Sequence, residues 1–412
     1  MTSNDPGGRA EAISFRQLRL FESIGRHQSL RRASLDYGLS QPAVTQALAK
    51  LEVAVEAPLI DRDSSGSRLN GFGEILHRRT ARMFDQIAAA LTQLGVPGDR
   101  QAIAATARRI TRAQARGLVA VVETGSFARG AERLGLSQAS LHRAARELEA
   151  ELRRPLCHRT ATGIIVSPAA MAFGRRLRLA VQELAWGLRE IACARGAWGG
   201  SVALGTIAAG DSLPLGSAIE RFAGRHPTTR LRIVEDGAEA LFAQLRDGAL
   251  DLVLAPLPEH ADGLAGEPLV PARYAVAARR GHPLLAESTV PLDRLREQEW
   301  IMGAPGARRH ACFTRLFADG PMPHAPIATC SPATMRQLLA GSDRLALLTE
   351  QELHDAQGVV ERIAFGPVGT APPLGIVTRA DWLGTPLHDA FAELLRSATR
   401  APVAHAALRR TG

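Results

Sequence analysis

SLRRASLDYGLSQPAVTQALAKLEVAVEAPLIDR runs from Ser29 to Arg62, and SFARGAERLGLSQASLHRAARELEAELRRPLCHR runs from Ser126 to Arg159. The two stretches align without a gap at a constant offset of 97 residues. Ser29 meets Ser126, Arg32 meets Arg129, and the four letters GLSQ recur from Gly38 and Gly135. Leu51-Glu52 meets Leu148-Glu149, and Pro58-Leu59 meets Pro155-Leu156. A repeat of this length marks a duplicated structural unit.

Each copy reads as three short helices. The first covers roughly 15–27, with Phe15, Leu18, Phe21 and Ile24 spaced to face inward. Its counterpart covers roughly 112–124, with Leu118, Val121 and Val122. Ser29 and Ser126 are N-cap residues, whose side-chain oxygens accept an orphan backbone N–H. The second helix follows, with Leu30, Ala33, Ser34 and Tyr37, or Phe127, Gly130, Ala131 and Leu134, on one face. Gly38 and Gly135 end it, because a positive φ suits glycine. Ser40 and Ser137 cap the third helix. Its inner stripe is Val44, Leu48, Leu51 and Val55, or Leu141, Ala145, Leu148 and Leu152.

The outer face of the third helix carries the chemistry. It presents Gln41, Pro42, Thr45, Gln46 and Ala49 in the first copy, and Gln138, Ala139, Ser140, His142, Arg143 and Arg146 in the second. A helix, a glycine turn and a second helix with hydrogen-bonding residues near its start is the arrangement that enters a DNA major groove. Glutamine can read adenine, and arginine can read guanine or grip phosphate. Glu52 and Glu149 lie too far along to meet bases and are assigned to supporting the fold. After Pro58 and Pro155, DRDSSGSRLN and HRTATGIIVS each read as a two-stranded wing around a glycine. Arg62, Arg68 and Arg159 there are placed to meet phosphates.

The charge supports a polyanion partner for one half only. Residues 1–198 hold 29 Lys+Arg and 18 Asp+Glu, while residues 199–412 hold 21 and 23. The first half is therefore net +11 and the second net −2. Lys50 is the only lysine, so an arginine-rich genome explains Arg over Lys, but not the asymmetry.

Both units resemble the winged helix-turn-helix of LysR-type transcriptional regulators. Ser126-Phe127, Ala131-Glu132-Arg133-Leu134, Ser137-Gln138 and Leu148-Glu149 carry the resemblance in the second copy. Ser40-Gln41-Pro42-Ala43-Val44 and Leu51-Glu52 carry it in the first. Leu48 and Ala145 replace the family's usual isoleucine, Ile60 and Cys157 its phenylalanine, and Thr45 and His142 a frequent serine. Two units in one chain is the largest departure, since the family normally has one.

A long helix follows each wing, with Asn70 and Ser167 as caps and Pro168 at a first helical position. Phe84, Ile87, Leu91 and Leu94, and then Leu177, Val181, Leu184, Leu188 and Ile191, step by three and four. That spacing fits a coiled-coil seam or packing on the chain's own core. The family uses this helix as its dimer linker, which favours dimerisation by the second one. GVPGDRQ at 95–101 reads as a flexible joint between the copies.

From Gly200 the pattern alternates strands and helices, which implies a parallel sheet. Strands are expected at 201–207, 231–235, 250–255, and near 273–278, 299–302, 326–330, 345–348 and 374–378. This half resembles the family's effector-binding domain, which is similar to periplasmic binding proteins. The expected class is thus α/β with an all-α, winged-helix N-terminal half: two tandem winged helix-turn-helix domains, then a two-lobed α/β effector domain. The expected boundaries are 1–98, 99–198 and 199–412. One lobe takes 199–257 plus 365–412, and the other 258–364.

Ligands of such folds bind where strand ends meet helix N-termini, whose N–H groups favour anions. The candidates are Thr206, Asp211, Ser212, Asp236 and Gly237 in one lobe, and Gly303, Ser331 and Thr334 in the other. Each is also explained by simple helix capping. Asp211 and Asp236 would repel a carboxylate, so the effector's chemistry stays open.

The composition bounds what else the chain does. No apolar run is long enough to span a bilayer, and MTSNDPGGRAEAISF lacks a secretory signal's basic start and apolar core. A cytoplasmic protein without membrane association is expected. Cys157, Cys193, Cys312 and Cys330 are scattered, with no CxxC spacing, so neither a metal site nor a cofactor is expected. No catalytic motif stands in a fitting context, and catalytic residues are not assigned. The expected partners are double-stranded DNA, a small-molecule effector and further copies of the chain. An architectural DNA-binding protein with a vestigial effector domain, and an enzyme using the α/β cleft, remain alternatives.

Overall fold

The computed structural model describes residues 10, 12–63, 66–160, 163–207, 215–258, 260, 262–366 and 368–400. The chain divides into two compact units. The first is essentially residues 1–201, and the second takes most of the remainder.

In the first unit the repeat is visible element by element. Copy one has α1 (Phe15–His27), α2 (Leu30–Asp36), α3 (Gln41–Val55), β1 (Ile60–Asp63), β2 (Gly66–Leu69) and α4 (Gly71–Leu94). After α5 (Arg100–Arg109), copy two has α6 (Arg112–Thr124), α7 (Phe127–Leu134), α8 (Gln138–Leu152), β3 (Cys157–Thr160), β4 (Gly163–Val166) and α9 (Pro168–Ala194). The caps repeat with the sequence. Ser14 and Thr111 each form a capping box with the glutamine three residues on, Gln17 and Gln114. Ser29, Ser126, Ser40, Ser137, Asn70 and Ser167 each accept a backbone N–H at the start of their helices. Gly38 and Gly135 hold φ of 58° and 64°, where a Cβ would be strained. The wings are antiparallel pairs, Ile60 opposite Leu69 and Cys157 opposite Val166.

Two readings of the linkers are refined. The 95–101 stretch is not a continuous joint. Gly95 ends α4, Asp99 accepts from Ala102 N to cap α5, and α5 buries Ile103 and Ala107. In the second long helix the seam packs within the chain, the other arrangement its spacing allows. Leu177, Leu184, Leu188 and Ile191 are buried in one core with Phe84, Ile87, Leu91 and Leu94 of α4. The two long helices of one chain pack on each other, because each supplies the apolar stripe the other needs to leave water.

The second unit is built on a nine-stranded sheet. Its strands are β5 (Gly200–Thr206), β6 (Thr229–Glu235), β7 (Leu252–Pro256), β8 (Leu264–Arg279), β9 (Trp300–Met302), β10 (Ile327–Ala328), β11 (Leu345–Thr349), β12 (Val360–Arg362) and β13 (Gly369–Arg379). The order is β10-β9-β11-β8-β13-β7-β5-β6, with β12 also on β8. The sheet is mixed, where a parallel one was expected. β5 and β7 are parallel, as are β9 with β10 and β11, but β8 and β13 are antiparallel to their neighbours. Those two strands are long enough to serve both lobes. Leu264 and Val377 join the core around Leu241, Phe242 and Leu245, whereas Tyr274, Val276 and Ala371 join the core around Trp300, Phe313 and Phe317. Helices α10 (Leu215–Arg225), α11 (Ala238–Arg246), α12 (Leu292–Arg296), α13 (Arg308–Leu316), α14 (Pro332–Ala340), α15 (Glu350–Asp355) and α16 (Pro386–Arg400) complete the second unit's secondary structure with one short 3-10 turn.

Candidate nucleic-acid interface and effector lobes

The third helices, α3 and α8, bury one stripe and expose the other. Val44, Leu48, Leu51 and Val55 are buried in α3, and Leu141, Leu148 and Leu152 in α8. Gln41, Pro42, Gln46, Gln138, Ser140, Arg143 and Arg146 are exposed, as are the capping residues Ser40 and Ser137. Ser40 Oγ accepts from Ala43 N at 3.4 Å, and Ser137 Oγ accepts from Ser140 N at 3.2 Å. Those bonds satisfy the first turn and point the start of each helix outward.

Two expected reading residues are engaged locally. Thr45 Oγ1 donates to Gln41 O at 3.1 Å, the back-bond open to a helical threonine. The His142 ring lies flat on Phe127, with centroids 4.1 Å apart and planes 15° apart. Burial there, helped by Arg146, lowers the His142 pKa and so favours the neutral imidazole. Arg68 is exposed on its wing strand. Arg62 and Arg159 lie on β1 and β3, but their side chains fall outside the described residues.

The glutamates near the end of α3 and α8 have a clear job. Glu52 Oε1 accepts from Leu59 N at 2.8 Å. Glu149 Oε1 accepts from Leu156 N at 2.7 Å and Cys157 N at 2.9 Å. Each carboxylate thereby fixes the root of a wing to the helix beside it. Beside α3 only part of the surface is flat: a cavity of about 400 Å³ is lined by Arg16, Leu20, Tyr37, Gln46 and Lys50, among others.

In the second unit the candidate effector residues form two groups. Thr206 is buried at the end of β5, donates its hydroxyl to Ile207 O, and its carbonyl accepts from Asp236 N at 3.3 Å. That bond brings the ends of β5 and β6 together. Gly237 is the N-cap of α11 and supplies no side-chain cap, and its own N–H donates to Asp236 Oδ1 at 2.8 Å. Asp211 and Ser212 lie outside the described residues. In the other lobe, Gly303 is buried, and a Cβ there would lie 2.9 Å from His310 N. Thr329 N donates to Met302 O, and Ser331 Oγ accepts from both Thr334 N and Thr334 Oγ1. Sequence reasoning missed Arg309, which pairs with Glu352 and lies over the Tyr274 ring; burial works against its charge, but Glu352 and Tyr274 outweigh burial and raise its pKa. Its only signal was a place at the start of α13.

Two exposed, capped helices beside two wings, joined to a two-lobed α/β unit, define a winged-helix DNA-binding protein with a ligand-binding-type domain. Comparison with known proteins agrees. Residues 195–400 match the LysR substrate binding domain, and residues 15–74 and 113–171 each match the bacterial regulatory helix-turn-helix of the lysR family. The chain belongs to the LysR family of DNA-binding transcriptional regulators and carries that family's effector-binding domain. It is 30% identical over 392 residues to the HTH-type transcriptional regulator GalR of Pseudomonas putida, covering 94% of this chain and 97% of that one. It is 26% identical to the regulator GbpR of Rhizobium radiobacter, covering 62% of this chain and 84% of that one. The fold is similar to full-length OxyR from Pseudomonas aeruginosa, at 21% identity and TM-score 0.51, covering 71% of this chain and 95% of that chain. Among the described residues, no helix is long and apolar enough to cross a membrane, and no cluster of three metal-ligating side chains occurs.

Proposed function

We propose that a single chain reads two unlike DNA half-sites through α3 and α8, in the cytoplasm, under control of a small polar or anionic effector bound between the lobes of the second unit. The observation that carries this is the pair of exposed reading faces in one compact unit, each with a cap, a wing and a linker helix of its own. Gln41 and Gln46 on α3 suit adenine, while Gln138 and Arg143 on α8 suit adenine and guanine. Ser40, Ser137 and the wing arginines hold the backbone. Covalent joining makes the second contact intramolecular, which raises its effective concentration. Further copies of the chain associate through surfaces other than the linker helices, and no catalytic step is assigned.

Footprinting tests the reading. Gln41→Ala with Gln46→Ala should erase protection of one half-site, and Gln138→Ala with Arg143→Ala that of the other. A pair that leaves footprint and affinity unchanged would show that its copy does not read DNA. For the effector, a metabolite screen on the full chain should find a compound that raises the melting temperature by mass action. The support for an anion is the uncapped start of α11 together with Ser331 and Thr334 at the start of α14.

A further inference from the structure

The pairing of α4 with α9 is antiparallel and unlike. Arg78 meets Glu190, whereas Gln86, eight residues further along α4, meets Glu183. Glu183 is completely buried and accepts from Arg79 at 2.8 Å and Arg82 at 2.7 Å. Arg79, also completely buried, reaches Glu190 at 2.9 Å. The stem of Arg79 lies on Gly187, where an added Cβ would come within 3.2 Å of its Cβ and Cγ.

The repeat offset states what a second copy would offer instead. Shifted by 97 residues, Glu183 and Glu190 fall on Gln86 and Gln93, and Gly187 falls on Ala90. An α4–α4 pair between two chains in this register would set each buried Arg79 against two neutral amides and a methyl group. A buried charge with no counter-charge is strongly unfavourable. An α9–α9 pair would keep a guanidinium, Arg176, where Arg79 stands, but Leu179 would replace Arg82 and strip Glu183 of its second partner.

We propose that α4 and α9 are matched to each other by this buried charge set and close on each other within one chain. The linker surface is thereby unavailable to a second copy, and one chain supplies the complete two-reader head. The match is a selection device, the best-attested use of a buried polar group in a helix pair. It concerns pairing alone, and stands whether or not both faces read DNA.

Two measurements on the full chain test it, neither involving DNA. The first is Arg78→Cys with Glu190→Cys, in a chain whose exposed Cys330 is changed to alanine. A short bis-maleimide crosslinker, which spans the reach of the Arg78 and Glu190 side chains, should link the new cysteines at the mass of one chain, 44.0 kDa, on a denaturing gel. A linked product of twice that mass, or no link at all, would overturn closure. The second is charge reversal. Arg79→Glu with Arg82→Glu, and separately Glu183→Arg with Glu190→Arg, should each lower the melting temperature by about 10 °C. Combining them in one chain should recover at least half of the loss, and co-expressing them on separate chains should recover none. Recovery between chains would overturn closure, and no recovery within one chain would remove the ion pair as the selecting feature.

Discussion

Copy one and copy two have the same frame and different faces. Both open on a capping box, both bond a glutamate to the root of the wing, and both end in a long helix. Outside the frame they diverge in charge. Arg16 and Lys50 flank the cavity beside α3, and their counterparts beside α8 are Ala113 and Glu147. On the reading face the order reverses, with Gln46 and Ala49 facing Arg143 and Arg146. The long helices diverge too, α4 carrying the arginines and α9 the glutamates. Duplication kept the helix caps and the glutamate bonds to the wing roots and let other side chains drift apart. Unlike copies can match each other as identical ones cannot, and under the proposed function they would read an asymmetric site.

The largest effect is expected where the copies meet. Glu183→Gln removes a buried carboxylate from beneath two guanidinium groups, and should cost about 3–5 kcal/mol. Calorimetry on the full chain checks it, and Gln86→Ala at the equivalent place on α4 should cost far less. Next comes reading. Arg143→Ala should cost about 1–3 kcal/mol on one half-site and relax its sequence preference, as measured by binding to single-base variants. The matching Gln46→Ala should act on the other half-site only. Uniform loss across sequences would reassign Arg143 to phosphate and narrow the contrast between the faces. Smaller still is the stack unique to copy two. His142→Ala should lose about 0.5–1.5 kcal/mol by melting, whereas Thr45→Ala, whose hydroxyl bonds only its own helix, should be nearly neutral.

Acid should separate the copies as well. Glu22 lies buried in copy one, and its counterpart in copy two is Val119. Burial alone would raise the Glu22 pKa, but Arg108 and Arg26 outweigh it and hold the carboxyl below its ordinary value. A folded pKa below the unfolded one stabilises above the unfolded value. That stability is lost as pH falls through the carboxylate range and the lowered folded value. Copy one should therefore lose amide-exchange protection before copy two on acidification, and Glu22→Gln should remove the difference.

Much of the fold is legible in the sequence because it rests on local chemistry. Ser40 and Ser137 cap their helices in the structure as their place before an amphipathic run requires. Gly38 and Gly135 take the positive φ that their turns need. Less legible were features whose partner lies far along the chain. The α5 helix was hidden by the glycines and proline ahead of it, and only Asp99 signalled its start. His142 read as a base contact because nothing local shows that Phe127, fifteen residues earlier, receives its ring. The sheet read as parallel because alternation of strands and helices does not reveal that β8 and β13 each run through both lobes.

The sequence by itself determined the repeat, the caps, the turns, the wings and the apolar stripe of every reading and linker helix, since each depends on neighbours a few residues away. Which stripe meets which was decided only by the tertiary structure. The spacing of Leu177, Leu184 and Leu188 suits α4 of the same chain and a helix of another equally well, because apolar burial has no direction. The choice falls to Arg79 and Glu183, 104 residues apart, whose charges tolerate burial only in each other's company.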